Sequence, residues 1–107
     1  MRTAYSGRAA AYFAKRDYEN ALLDQNMVVL FYALEVEITG ELEGSDRDKL
    51  MREAAGAYRV RGDILIAAGR VAQAEVDLNR AEKLEAEGRK AAEKKKTKAE
   101  LPTEPSR

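Results

Sequence analysis

Apolar side chains recur along this chain at helical spacing. Tyr5, Ala9, Tyr12 and Phe13 fall at i, i+4, i+7 and i+8, on one face of a helix. The same spacing returns at Tyr58, Gly62, Leu65 and Ile66. A polar break follows each stretch, Lys15-Arg16-Asp17 in the first and Ala68-Gly69-Arg70 in the second. Asp17 suits the N-cap of a helix starting at Tyr18, and Gly69 suits the left-handed residue that closes a helix. Each stretch then continues into a second helix, with Ala21 and Ala74 on its inner side. The first of these is predicted to run through Met27–Leu34 to about Ile38, where Thr39-Gly40 stops it. Glu41 to Gly44 read as an acidic loop. Ser45-Asp46-Arg47-Asp48 resembles a capping box with Asp in place of the usual Glu, and Lys49, Leu50, Met51, Ala54 and Ala55 carry the next helix forward. The pattern predicts four helices, over 2–15, 17–38, 46–68 and 70–95.

Within Met27–Leu34, Val28, Val29, Phe31 and Tyr32 favour strand by propensity. Helix is preferred because no partner strand exists elsewhere in the sequence. A helix that is apolar all round must be covered on several sides, which makes this segment a candidate surface for self-association into a homo-oligomer.

The two stretches are copies of one another. Ala4-Tyr5-Ser6-Gly7-Arg8-Ala9 and Ala57-Tyr58-Arg59-Val60-Arg61-Gly62 share the pattern Ala-Tyr-x-x-Arg-small at an offset of 53 residues. In the same register Ala14 matches Ala67, Ala21 matches Ala74, Asp24 matches Asp77 and Asn26 matches Asn79. Alanine matches are cheap in an alanine-rich chain, but Tyr, Arg, Asp and Asn matches in one register are not. The chain thus reads as all-α, two antiparallel helix hairpins (about 2–38 and 46–95) in one domain over 1–96. A disordered C-terminal tail is expected over 97–107.

Composition narrows the chemistry. With 107 residues there is room for one domain. The absence of both Cys and His removes disulfides, thiol chemistry and zinc sites of the usual kind. Glu35, Glu37, Glu41 and Glu43 have no histidine with which to build a di-metal site, and the 41–46 loop lacks the ligand spacing of an EF-hand. No Walker loop and no Gly-x-Ser-x-Gly elbow occurs. No catalytic, cofactor-binding or metal-ligating residue is assigned, and the expectation is a protein without enzymatic activity. No secretory pattern is read at the N-terminus, and the longest apolar run falls well short of the ~20 residues of a membrane span. A soluble, cytoplasmic protein is expected. Net charge is zero but unevenly spread: residues 1–88 hold 12 Lys/Arg against 16 Asp/Glu, and residues 89–107 hold 7 against 3. The basic end (Arg89, Lys90, Lys94, Lys95, Lys96, Lys98) lacks interleaved aromatics, so no specific nucleic-acid contact is expected of it.

The repeat resembles the tetratricopeptide repeat in its bacterial form, Ala-Tyr-x-Asn-Arg-Gly-x-Ala-Tyr-x-x-x-Gly-Asp-Tyr-x-x-Ala-x-x-Asp. Tyr5, Arg8, Ala9, Ala11, Tyr12, Asp17, Tyr18, Ala21 and Asp24 answer to it in the first copy. Tyr58, Arg61, Gly62, Leu65, Gly69, Ala74 and Asp77 answer in the second. The copies depart from the family in recurring at 53 residues instead of ~34, in Arg16 at the turn glycine, and in Gln25 at a position usually apolar. The resemblance implies helix hairpins that bind a partner protein or peptide on the face of their first helices. Carried over residue by residue, that candidate face holds Ser6, Ala10, Phe13, Arg59, Val60, Asp63 and Ile66. Gly7 and Val60 stand where carboxylate-gripping members have Asn, so a grip on a peptide's terminal carboxylate is not expected. Arg59 and Asp63 are spaced for an i,i+4 pair. Arg8 and Arg61 are expected to lie along neighbouring helices and pair with local carboxylates. The function expected is a non-catalytic scaffold for a partner protein. The alternatives are a self-associating helical bundle without a ligand groove, or a weak binder of nucleic acid or acidic surfaces through the basic end.

Overall fold

A computed structural model of the chain describes residues 2–38 and 44–100. Four helices occur in it: α1 (Arg2–Ala14), α2 (Tyr18–Ile38), α3 (Gly44–Ala67) and α4 (Val71–Glu100). There is no strand among the described residues, and Met27–Leu34 lies wholly within α2. Its β-branched residues are accommodated because Val28 and Val29 point into the core, where packing outweighs propensity.

The two inter-helix turns inside the repeats are built alike. The Arg16 N–H donates to the Phe13 carbonyl at 2.9 Å and the Asp17 N–H to the Tyr12 carbonyl at 2.9 Å. At the equivalent positions Gly69 donates to Ile66 at 3.0 Å and Arg70 to Leu65 at 2.8 Å. This is the paired bonding of a left-handed helix stop, and Arg16 (φ 63°) and Gly69 (φ 83°) both take the left-handed conformation. The Asp17 carboxylate caps α2, accepting from the Asn20 backbone N–H at 3.4 Å and from Asn20 Nδ2 at 2.7 Å.

Two boundaries differ from the sequence reading. α3 begins at Gly44, so Ser45, read as the start of a capping box, lies inside the helix. α4 runs to Glu100 and so takes in residues 97–100, read as disordered from the sequence. The strong helix formers between Gly88 and Glu100 sustain it, with no proline before Pro102. The Thr39-Gly40 stop, most of the acidic loop and residues 101–107 lie outside the described residues.

Each helix packs on the next in sequence. At the turn end, Ala21, Leu22, Ile64, Leu65 and Ala74 form one core cluster, with Tyr12 and Tyr18 against it. In the middle, Val28, Val29 and Ala57 are covered by Tyr5, Tyr32 and Tyr58. At the far end Met51, Ala54, Ala55, Ala81 and Leu84 pack with Tyr32 and Val36. Small residues set the spacing. A Cβ on Gly62 would stand 3.0 Å from Leu78 Cδ2, and one on Gly88 would stand 2.8 Å from Asp48 Oδ1 and 3.0 Å from Met51 Cβ. The long offset between copies is absorbed by the C-terminal half of α2 and the N-terminal half of α3, which bury Met51, Ala54 and Ala55 beside Tyr32 and Val36.

Candidate protein-binding groove

The arginines of the two copies hold the helices in place. Arg8 Nε and Nη2 donate to the Asp24 carboxylate at 2.7 and 2.8 Å. Arg61 Nε and Nη2 donate to Asp77 at 2.9 and 2.8 Å. Each guanidinium also lies over the tyrosine one turn before it, Arg8 at 5.7 Å from the Tyr5 centroid and Arg61 at 5.5 Å from that of Tyr58. Both carboxylates are buried, and each accepts a bidentate, charge-assisted pair of hydrogen bonds from its arginine. The hydrogen bonds from Arg8 hold the Asp24 carboxyl below its usual range. Those that Arg61 donates to Asp77 hold the Arg61 guanidinium above its usual range. These arginines are committed to carboxylates within their own hairpins. Arg61 reaches further: its Nη1 donates to Asn26 Oδ1 at 3.2 Å, tying the second hairpin to the first.

A groove of about 670 Å³ opens between α1 and α3, with α2 as its floor. Thr3, Ser6 and Gly7 line one wall, Glu53, Gly56 and Val60 the other, and Gln25, Val28 and Tyr32 lie beneath. Gly7 and Gly56 face open space, with nothing within 4 Å of where a Cβ would sit. Arg2 stands at one end, paired with Glu35 and 4.5 Å over the Tyr32 ring. The walls therefore offer hydroxyls and a carboxylate, and the floor is mostly apolar.

Gln25 is the exception on that floor. It is 2% exposed, and its Nε2 donates to the Ala57 carbonyl of α3 at 2.9 Å. Its Oε1 is buried without a hydrogen-bond partner. A buried carbonyl oxygen left unpaired costs on the order of 1–3 kcal/mol. In the second copy the equivalent residue is Leu78, which packs against Gly62.

The face anticipated from the sequence divides in three. Ser6 and Val60 line the groove. Ala10 and Asp63 are exposed further along α1 and α3, and Phe13 and Ile66 lie part-exposed towards the turns. Phe13 also packs against Tyr18, with ring centroids 5.7 Å apart. Arg59 turns away to α4, where it grips Glu85 at 2.6 and 3.3 Å in place of the expected Asp63. A carboxylate presented by a packed neighbouring helix allows a bidentate grip that the i,i+4 partner does not. The sequence reading missed Gln25, Tyr32 and Glu53 as groove residues. Gln25 carried a signal, being polar at a position where its repeat mate is leucine.

A second, smaller concavity of about 410 Å³ lies on the opposite side, between α2 and α4, with Leu22, Leu23, Leu65 and Val76 in its lining. Arg70 and Glu19 pair at its edge at 2.7 Å. Among the described residues no group of three or more acidic side chains is placed to hold a metal ion, and no helix is long and apolar enough to cross a membrane. No family model, curated protein or solved structure matches the chain.

Proposed function

We propose that this chain is a non-catalytic interaction module of tetratricopeptide type, which holds an extended segment of a partner protein in the α1–α3 groove. The observation that carries this reading is Gln25: a buried acceptor without a donor, in the floor of an open groove. A peptide backbone N–H, or a side-chain donor from the bound segment, would satisfy it once the Gln25 amide, closed to solvent in the empty groove, turns toward the guest. Thr3, Ser6 and Glu53 on the walls offer further polar contacts, and the open space at Gly7 and Gly56 leaves room for a main chain to lie close. Self-association through the outward side of Met27–Leu34 belongs to the same reading.

The test is selection of peptides from a displayed random library on the full chain. Peptides that bind the native protein should bind Gln25→Leu at least about tenfold more weakly, the loss expected for one hydrogen bond of ~1.4 kcal/mol. Gly7→Trp with Gly56→Trp, which fills the groove from positions that touch nothing, should abolish binding. If the selected peptides bind that double variant as tightly as the native protein, the groove is not the site.

A further inference from the structure

The outer side of α2 carries large apolar residues that nothing in the fold covers. Leu23, Leu30, Leu34 and Ile38 are 64, 47, 47 and 79% exposed. With the half-buried Met27 they form a stripe at spacings of three and four, the seam of a helix that pairs with another helix. The stripe is about 22 Å long. At its N-terminal end α4 adds Val76, also mostly exposed, beside the α2–α4 concavity. Together these side chains expose several hundred square ångströms of apolar surface, at the upper end of what a monomer leaves uncovered. A stable interface buries ~800 Å² per partner, and the stripe with Val76 would supply its apolar centre.

What the stripe fits is a second copy of itself. Leu30 sits near its midpoint, with Leu23 about 11 Å to one side and Ile38 about 12 Å to the other. A two-fold axis across α2 at Leu30 lays two copies antiparallel and brings Ile38 of each level with Leu23 of the other. Leu34 then falls between Leu23, Met27 and Leu30 of the partner. Charge selects this direction. The exposed Glu37 lies at the C-terminal end of α2. A parallel pair would set it against its own copy and align the two helix dipoles. The antiparallel pair separates the two Glu37 carboxylates, opposes the two helix dipoles, and sets each Glu37 toward the partner's Glu19–Arg70 pair. Every contact is then made twice, as an isologous interface requires.

We propose that the chain is a two-fold homodimer through antiparallel α2 helices, with Leu30 at the axis. This develops the self-association half of the proposed function and does not depend on the groove.

The test uses the full chain, which contains no cysteine of its own. At high micromolar concentration the native protein should sediment as a dimer. Leu30→Glu, which sets two carboxylates at the axis, should halve the apparent mass while leaving helical content unchanged. Leu30→Cys should oxidise to a covalent dimer. Leu23→Cys alone should not, whereas a mixture of Leu23→Cys and Ile38→Cys chains should cross-link to one another. A native monomer at that concentration overturns the proposal, as does a Leu23→Cys chain that self-links as readily as Leu30→Cys. The α2 stripe does not line the groove, so a monomer that still binds selected peptides would sink only the dimer. A dimer that binds none would sink only the groove.

Discussion

Arg16 holds a backbone angle that glycine adopts freely and arginine does not, at φ 63°. The left-handed conformation costs an L-residue about 1–2 kcal/mol, partly offset by the entropy glycine loses on folding. Arg16→Gly is therefore expected to stabilise the protein by about 0.5–1 kcal/mol, and Gly69→Ala to destabilise it by a similar amount, both read from denaturant midpoints. Equal and like-signed shifts would mean that the two turns are not equivalent. Asp24 supplies a pH test. Its folded-state pKa is depressed by the hydrogen bonds from Arg8, so its contribution to stability is present above the unfolded value near ~3.9. It is lost as pH falls through the lower folded value. The Arg8→Ala variant should show a shallower loss of stability below about pH 4 than the native chain in acid titrations followed by circular dichroism. The Arg–Asp pairs were legible because Arg8, Asp24, Arg61 and Asp77 repeat in one register. The groove role of Gln25 was only half legible: its polarity stood out against Leu78, but the Ala57 carbonyl that it bonds lies 32 residues away and on no shared helix.

α3 and α4 approach closely at Gly88. A methyl there would meet Asp48 Oδ1 at 2.8 Å and Met51 Cβ at 3.0 Å. The second of these is a Cβ, whose position is fixed by the backbone and which cannot swing away. Gly88→Ala should overpack this contact at a cost of about 1–3 kcal/mol, despite alanine's better helix propensity. Gly7→Ala meets nothing and should stabilise α1 by about 0.5–1 kcal/mol. If thermal melts rank the two variants the other way, the α3–α4 contact at Gly88 is misplaced. The helices themselves were readable from 3.6-residue periodicity and from turn chemistry at Asp17 and Gly69. The end of α4 was not. Past Leu84 the apolar stripe fades, and the residue that seats the helix on α3 there is Gly88, whose value lies in being small and which carries no hydrophobic signal.

For the molecule as a whole, the decisive junction is between the hairpins. Arg61 serves both, bonding Asp77 in its own and Asn26 in the other. Arg61→Ala leaves the buried Asp77 without its cation and should cost about 1.5–3 kcal/mol in equilibrium unfolding. A loss of a few tenths only would show that the Arg61 bonds contribute little to joining the hairpins. The second hairpin is also finished on its outer side. Leu22 and Val29 of α2 are buried, while Glu75 and Glu82 at the same places on α4 are exposed, so α4 presents a charged surface where α2 presents a core.

Because α1 and α3 each rest on α2, the opening between them behaves like a pair of tongs pivoted on that helix. Gln25 and Arg61 are cross-ties at the pivot, one polar bond each from hairpin to hairpin. Small rotations about α2 would widen or narrow the jaws without disturbing either turn, so a guest gripped there would stiffen the joint. Slower amide exchange in the middle of α3, far from any residue that the guest touches, is the expected trace of that stiffening.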